Sequence, residues 1–160
     1  MFNDSFYPTP RDLAEKMLTD IDWTFTREVL EPSAGKGDLA EAIQAVQERN
    51  YHRWNCSHIH IDTIESDPNL ISILKGKDFH VIANDFLNFH TYKRYDAIIM
   101  NPPFSNGDLH LLKAISLMER WGGYVVCLLN AETIRNPYCN SRKTLAGCEI
   151  KTVGCQYYLS

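Results

Sequence analysis

From Glu28 to Asn130, short apolar runs alternate with segments whose apolar residues recur at helical spacing, and this alternation most narrows how the chain can fold. Strands separated by helices pair in parallel and are covered on both faces. The pattern therefore predicts an α/β fold, a Rossmann-like, doubly wound, mostly parallel sheet. Strands are expected over 28–30, 59–64, 79–83, 95–100 and 124–129, with helices over 38–49 and 69–74 between the first three. Before them, Thr9-Pro10-Arg11-Asp12 predicts a helix start with Thr9 as cap, Pro10 in the first turn and Asp12 closing a capping box. Asp108 is expected to cap a helix that Gly122-Gly123 closes. Beyond Arg135 the periodicity fades into a short helix near 141–146 and a β-like tail. At 160 residues the chain reads as one domain over 1–160, able to bury about two thirds of its unfolded surface.

Asn101-Pro102-Pro103-Phe104 follows the fourth apolar run directly. Neither proline can donate to a ladder and each fixes its own φ, so the strand must stop there in a rigid turn. Open α/β sheets bind their ligands at the carboxyl ends of the strands. An Asn oxygen, a stiff row of carbonyls and an aromatic ring at that place suit a flat, amino-bearing group such as a nucleobase. The same residues also fit a Pro-rich loop with Phe104 plugging the core.

Glu31-Pro32-Ser33-Ala34-Gly35-Lys36-Gly37 leaves the first strand. Glycines here let backbone approach a ligand and aim a helix N-terminus at it. The loop is not a P-loop, since Leu30 replaces that motif's first Gly and Gly37 its Ser or Thr. Ala40 stands at the third position of a G-x-G-x-x-G pattern, a slot that tolerates Ala. Glu65, Asp85 and Asn101 end the next three strands and offer acceptors along one edge. With Lys36 as the one nearby cation, the set suits a nucleoside without phosphates. Alternatively, such acids cap the helices that follow them, as expected for Asp67 and Asp108.

Bulk composition excludes several classes. Hydrophobic content of 44% and charged content of 22% are ordinary for a globular protein. The net charge of −4 comes without the basic stripe of a freestanding nucleic-acid binder. His58 and His60 are expected on one face of a strand, a pairing more typical of solvated histidines than of a ligand set. The five cysteines lack metal-knuckle spacing, so no metal is expected. Unframed thiols, no signal peptide and no bilayer-length apolar run lead to the expectation of a cytoplasmic protein without a membrane partner.

Taken in order, Tyr7-Pro8-Thr9-Pro10, the Glu31–Gly37 loop, Glu65-Ser66-Asp67-Pro68, Asn84-Asp85-Phe86 and Asn101-Pro102-Pro103-Phe104 resemble the successive motifs of S-adenosylmethionine-dependent amino-methyltransferases. The closest resemblance is to N6-adenine DNA methyltransferases of the phage and restriction-modification type, over roughly Ser5 to Asn136. It implies a class I methyltransferase core with S-adenosylmethionine as cofactor. Tyr7, Thr9 and Pro10 would lie over the methionine end of that cofactor, and Glu31 with Ala34, Gly35 and Gly37 would hold its amino acid part. Glu65 would take the ribose hydroxyls, Ser66 would face the adenine, Asp85 would accept from the adenine amine and Phe86 would pack beside the ring. Asn101 and the Pro102 carbonyl would receive the substrate amine, with Pro103 lining that side and Phe104 stacking on a flipped base.

The implied reaction moves a methyl group to the exocyclic N6 amine of adenine in DNA. In the family, further strands complete the sheet and a separate region reads the target. Residues 147–159 are expected to add at most a strand or hairpin, so the last strands and the target-recognition region are expected to be missing. DNA would then be gripped through a missing region or a partner subunit. Two rivals fit the same turn: methylation of RNA or of a protein glutamine amide, and a non-catalytic cofactor-binding or assembly module.

Overall fold

The computed structural model describes residues 7–54, 58–130, 150–153 and 156–159. The helix expected near 141–146 and Cys56, Cys139, Cys148 and Cys155 lie outside the described residues. In chain order the elements are α1 (Arg11–Met17), β1 (Glu28–Glu31), α2 (Asp38–Trp54), β2 (His60–Ile64), α3 (Pro68–Gly76) and β3 (His80–Ala83). They continue with β4 (Ala97–Met100), α4 (Gly107–Met118), β5 (Tyr124–Cys127), β6 (Ile150–Val153) and β7 (Gln156–Leu159). The first five strands form one sheet in the order β3-β2-β1-β4-β5 with every pairing parallel, the doubly wound architecture expected. The tail forms an antiparallel hairpin, β6–β7, with β7 lying beside β5. This is the hairpin expected of the tail, and it forms a two-stranded sheet of its own beside the five-stranded one.

Alternate residues on the central strands go to opposite faces, so each strand feeds two cores. Val29, Ala97, Ile99 and Val126 join Met17, Leu18, Leu39 and Ile43 from α1, its exit and α2. Leu30, Ile98, Met100 and Val125 instead meet Leu111, Ala114 and Met118 of α4. All four residues of β4 are fully buried, which explains its unbroken apolar run.

The order reverses between β1 and β4. These strands register through only two Cα pairs, Val29↔Ala97 and Leu30↔Ile98, whereas β1–β2 and β4–β5 each register through four. The loops after β1 and β4 diverge at this switch point and leave a crevice at the carboxyl edge.

The amino edge is closed by a polar network. Asp62 is buried and accepts from Lys93 Nζ at 2.8 Å, Tyr95 Oη at 2.7 Å and His80 Nδ1 at 2.7 Å. Burial by itself would raise the Asp62 pKa, but these three donors outweigh it and hold the group below its ordinary value. Lys93 also pairs with Glu28 at 2.7 Å. His60, Asp62 and His80 bring three potential metal-ligand atoms within 4.8 Å of one another, and the Lys93 ammonium stands among them, 3.2 Å from His60 Nδ1.

Three local expectations need correction. Thr9 does not cap α1, whose N-cap is Pro10 without a side-chain bond, because the Thr9 hydroxyl is engaged by Asn101. Asp108 sits in the first turn of α4 rather than at its cap, since the cap falls two residues earlier, at Asn106. His58 precedes β2, which begins at His60 where that residue registers with Glu28, so the two histidines do not share a strand face. Asp67 does cap α3, accepting from Asn69 N at 2.7 Å and Leu70 N at 3.4 Å. Gly122 closes α4 at φ 68°, its N–H donating to Met118 O at 2.8 Å. Among the described residues no helix is long and apolar enough to cross a membrane.

Candidate active site

Two adjoining crevices open at the carboxyl edge and share Ser33, Glu65, Ser66 and Pro103. The first is lined by Tyr7, Thr9, Glu31, Ala34, Gly35, Asp38 and Asn101 as well, the second by Asn84, Asp85, Phe86, Asn106 and His110. The first has no Lys or Arg in its lining. Lys36 is exposed, and its carbonyl accepts from Lys77 Nζ at 2.9 Å. Such a lining repels phosphate and favours a ligand with positive charge, amines or hydroxyls.

β1 delivers Glu31 to the floor of the first crevice. Its Oε2 is buried without a hydrogen-bond partner, as is the nearby Ser33 Oγ. Burial raises the Glu31 pKa well above the ordinary value, Asp38, Glu65 and Glu41 push the same way, and a bond from the Ala40 backbone only partly opposes them. A cationic ligand would relieve this. The loop above is a tight turn in which Gly37 N donates to Ala34 O at 2.8 Å. Gly37 is required here, because it sits at φ +96° and a Cβ would come within 3.0 Å of the Phe79 ring.

Glu65 ties the β1 and β2 loops together. Its Oε2 accepts from Gly35 N at 2.7 Å, and Oε1 accepts from Ser66 N at 2.8 Å and Asp67 N at 2.9 Å. The carboxylate is thus fixed before any ligand arrives. In the second crevice, Asn88 donates to both oxygens of the exposed Asp85, which holds Asp85 below its ordinary pKa. Phe86 is buried and lies against His110 with ring centroids 5.6 Å apart.

At the end of β4, Asn101 Nδ2 donates to Tyr7 O and to Thr9 Oγ1, both at 3.1 Å. Pro102 is buried under the turn, and the Phe104 ring stands 55% exposed, 5.7 Å from the Tyr7 ring. Phe104 is therefore not a core plug. Of the residues expected at the site, Pro10, Gly37, Pro102 and Phe104 do not line either crevice; the rest do.

Sequence reasoning missed Asn106 and His110. Asn106 Oδ1 is buried without a partner. His110 Nδ1 lies 3.0 Å from the Asn106 carbonyl, an acceptor only, so Nδ1 carries the proton and Nε2 is left as an acceptor. Burial lowers the His110 pKa and keeps the ring neutral. The available signal was a titratable residue in step with Ala114 and Met118 on the apolar face of α4.

The methyltransferase small domain family matches residues 11–119, more than half of the chain. A type II methyltransferase, M.CvrRI, of Paramecium bursaria Chlorella virus XZ-6E is 25% identical over 97 residues, covering 60% of this chain and 23% of the viral protein. A Listeria monocytogenes structure described as a class I S-adenosylmethionine-dependent methyltransferase superposes at TM-score 0.71 with 15% identity, over 99% of this chain and 61% of that one. The Thermus thermophilus 16S rRNA N2 G1207 methyltransferase RsmC, solved with AdoMet and guanosine, gives TM-score 0.63 with 13% identity, over 98% and 38%. The chain thus spans less than two thirds of each of these proteins, and the two structural likenesses speak for the fold.

Proposed function

This chain belongs to the methyltransferase small domain family, and from that premise we propose that it transfers a methyl group from S-adenosylmethionine to the exocyclic N6 amine of adenine in DNA. The observation that carries the reading is the placement of the Asn101-Pro102-Pro103-Phe104 turn. It borders an acceptor-rich, cation-free crevice and presents an exposed aromatic ring beside it. The cofactor fits this lining: its sulfonium and ammonium answer the unpartnered Glu31 oxygen, and its hydroxyls and adenine amine answer Glu65 and Asp85. When bound, S-adenosylmethionine would supply an electrophilic methyl group, its sulfur–methyl bond breaking with the electron pair returning to sulfur to leave S-adenosylhomocysteine.

This chain's own residues do the rest. Glu31 and the 34–37 backbone hold the amino acid end, while Phe86 and His110 bracket the second crevice. Asn101 Oδ1 and the Pro102 carbonyl accept the two hydrogens of the substrate amine. These bonds localise the nitrogen lone pair and stabilise the positive charge it acquires as the new N–C bond forms. The amine then sheds one proton to solvent. Phe104 offers a face for a base drawn out of its helix.

The test is transfer of labelled methyl from S-adenosylmethionine to DNA, RNA and protein offered in parallel, with nucleoside analysis of the product. N6-methyladenine in DNA is the expected result. Label in RNA or on a glutamine amide, with none in DNA, would reassign the substrate. Saturable cofactor binding without transfer to any of the three would leave a binding module.

A further inference from the structure

Tyr7-Pro8-Thr9-Pro10 holds two X-Pro steps in four residues. A residue before proline is driven out of the helical region into extended backbone, so Tyr7 and Thr9 are both restricted by the proline that follows. The Pro10 carbonyl accepts from Leu13 N at 3.0 Å and Ala14 N at 2.9 Å, which anchors the far end of the segment on α1. At the near end, the Tyr7 ring packs on Phe104 at 5.7 Å. This stiff strap lies across the turn after β4, more than ninety residues away in sequence.

Its contact with Asn101 settles the orientation of that side chain. The Tyr7 carbonyl can only accept, so the amide atom 3.1 Å from it is Nδ2. The second Nδ2 hydrogen goes to Thr9 Oγ1, also at 3.1 Å. With both hydrogens taken on one side, Oδ1 faces the other way as a pure acceptor. No described residue donates to it. A freely rotating amide would also present its NH2 group, and that group repels the hydrogens of a substrate amine.

We infer that Thr9 is a positioning residue for Asn101: its hydroxyl, with the Tyr7 carbonyl, locks the amide so that Oδ1 always meets the substrate amine. This rests on the amine-methylating reading above and differs from a role for Thr9 over the cofactor. It also explains why Thr9 does not cap α1.

Thr9→Val keeps the shape and removes the hydroxyl, while Thr9→Ser keeps the hydroxyl. Thr9→Val should lower kcat by about 10²-fold, the scale expected when a reacting contact is misplaced by about an ångström. Its dissociation constant for S-adenosylmethionine, by calorimetry, should change less than about twofold, and Thr9→Ser should restore most of kcat. A cofactor constant that worsens in step with kcat would make Thr9 a cofactor contact and overturn the inference. A second readout needs no turnover: hydrogen exchange of the Asn101 side-chain amide by NMR, assigned from its loss in Asn101→Asp. Exchange should quicken in Thr9→Val and stay slow in Thr9→Ser. If the wild-type chain methylates none of the substrates offered, the functional reading has failed and exchange alone decides; equal exchange in all three proteins overturns the lock.

Discussion

Asp62 and Glu31 are both carboxylates, no more than 2% exposed, on neighbouring strands of one sheet. They lie one step apart in register, on opposite faces of the sheet, and meet opposite surroundings. Asp62, midway along β2, is saturated by Lys93, His80 and Tyr95 and is held as an anion. Glu31, at the carboxyl edge, keeps an oxygen without a partner, and burial pushes it toward the protonated form. A buried carboxylate with every partner present belongs to the fold; one left short of a partner inside a crevice is a candidate ligand contact. The same division covers their neighbours. The amino edge closes on itself through Glu28 and Lys93, while the carboxyl edge leaves Ser33 and Asn106 unpartnered as well.

The sharpest way to test this division is Asn101→Ala. At the carboxyl edge it should cost at least about 10²–10³-fold in transfer rate, the scale for removing one group that stabilises transition-state charge. Cofactor affinity and unfolding free energy should hardly move. Equal losses in rate and affinity would show that Asn101 serves the cofactor instead.

Asp62→Ala should do the reverse. Stripping the shared partner from Lys93, His80 and Tyr95 should destabilise the fold by about 2–4 kcal/mol in urea unfolding, short of a fully buried pair because Lys93 is a third exposed. Cofactor affinity, measured where the variant is still folded, should match the parent chain. A collapse of affinity without loss of stability would break the contrast between the two carboxylates.

Glu65→Ala should weaken cofactor binding by about 1–3 kcal/mol, the range for losing a charged hydrogen-bond partner. It should also loosen the turn that Glu65 ties through Gly35 N. Calorimetry would show it, and an unchanged dissociation constant would remove Glu65 from the ligand set.

The pH dependence should be smallest in size and opposite in sign at the two carboxylates. Asp62 has a depressed folded pKa, so its contribution is present above the unfolded value and disappears as pH falls through the folded one. Glu31 has a raised folded pKa, so its contribution is full below the unfolded value and is lost as pH rises through the folded one. In unfolding titrations Asp62→Asn should therefore approach the parent chain in acid. Glu31→Gln should gain on it as pH rises, while binding S-adenosylmethionine less tightly. Parallel curves would mean that the two carboxylates share one kind of environment.

Much of the carboxyl edge was legible because its information is local in sequence. A double proline ends β4 at Met100, a glycine pair turns the chain after β1, and each strand end carries its own acceptor. The amino edge was not, because Asp62, His80 and Lys93 become one network only after β2 and β3 fall into register, with Asp62 opposite His80. Thr9 misled for a related reason. Its local signal was a helix cap, and a partner 92 residues away claimed the hydroxyl. His110 escaped because a polar residue on a buried helix face carries no label of its own.

The narrow pairing between β1 and β4 has a mechanical meaning. Two sub-sheets, β3-β2-β1 and β4-β5, meet at a seam only two residue pairs deep, and the crevice sits on its upper lip. A molecule that touches Glu31 and Gly35 on one lip and Asn101 on the other works as a rivet across that seam. Occupancy would therefore tighten the sheet where its register is shortest, by an amount set by ligand concentration over dissociation constant. The crevice and the sheet's shortest register are one place.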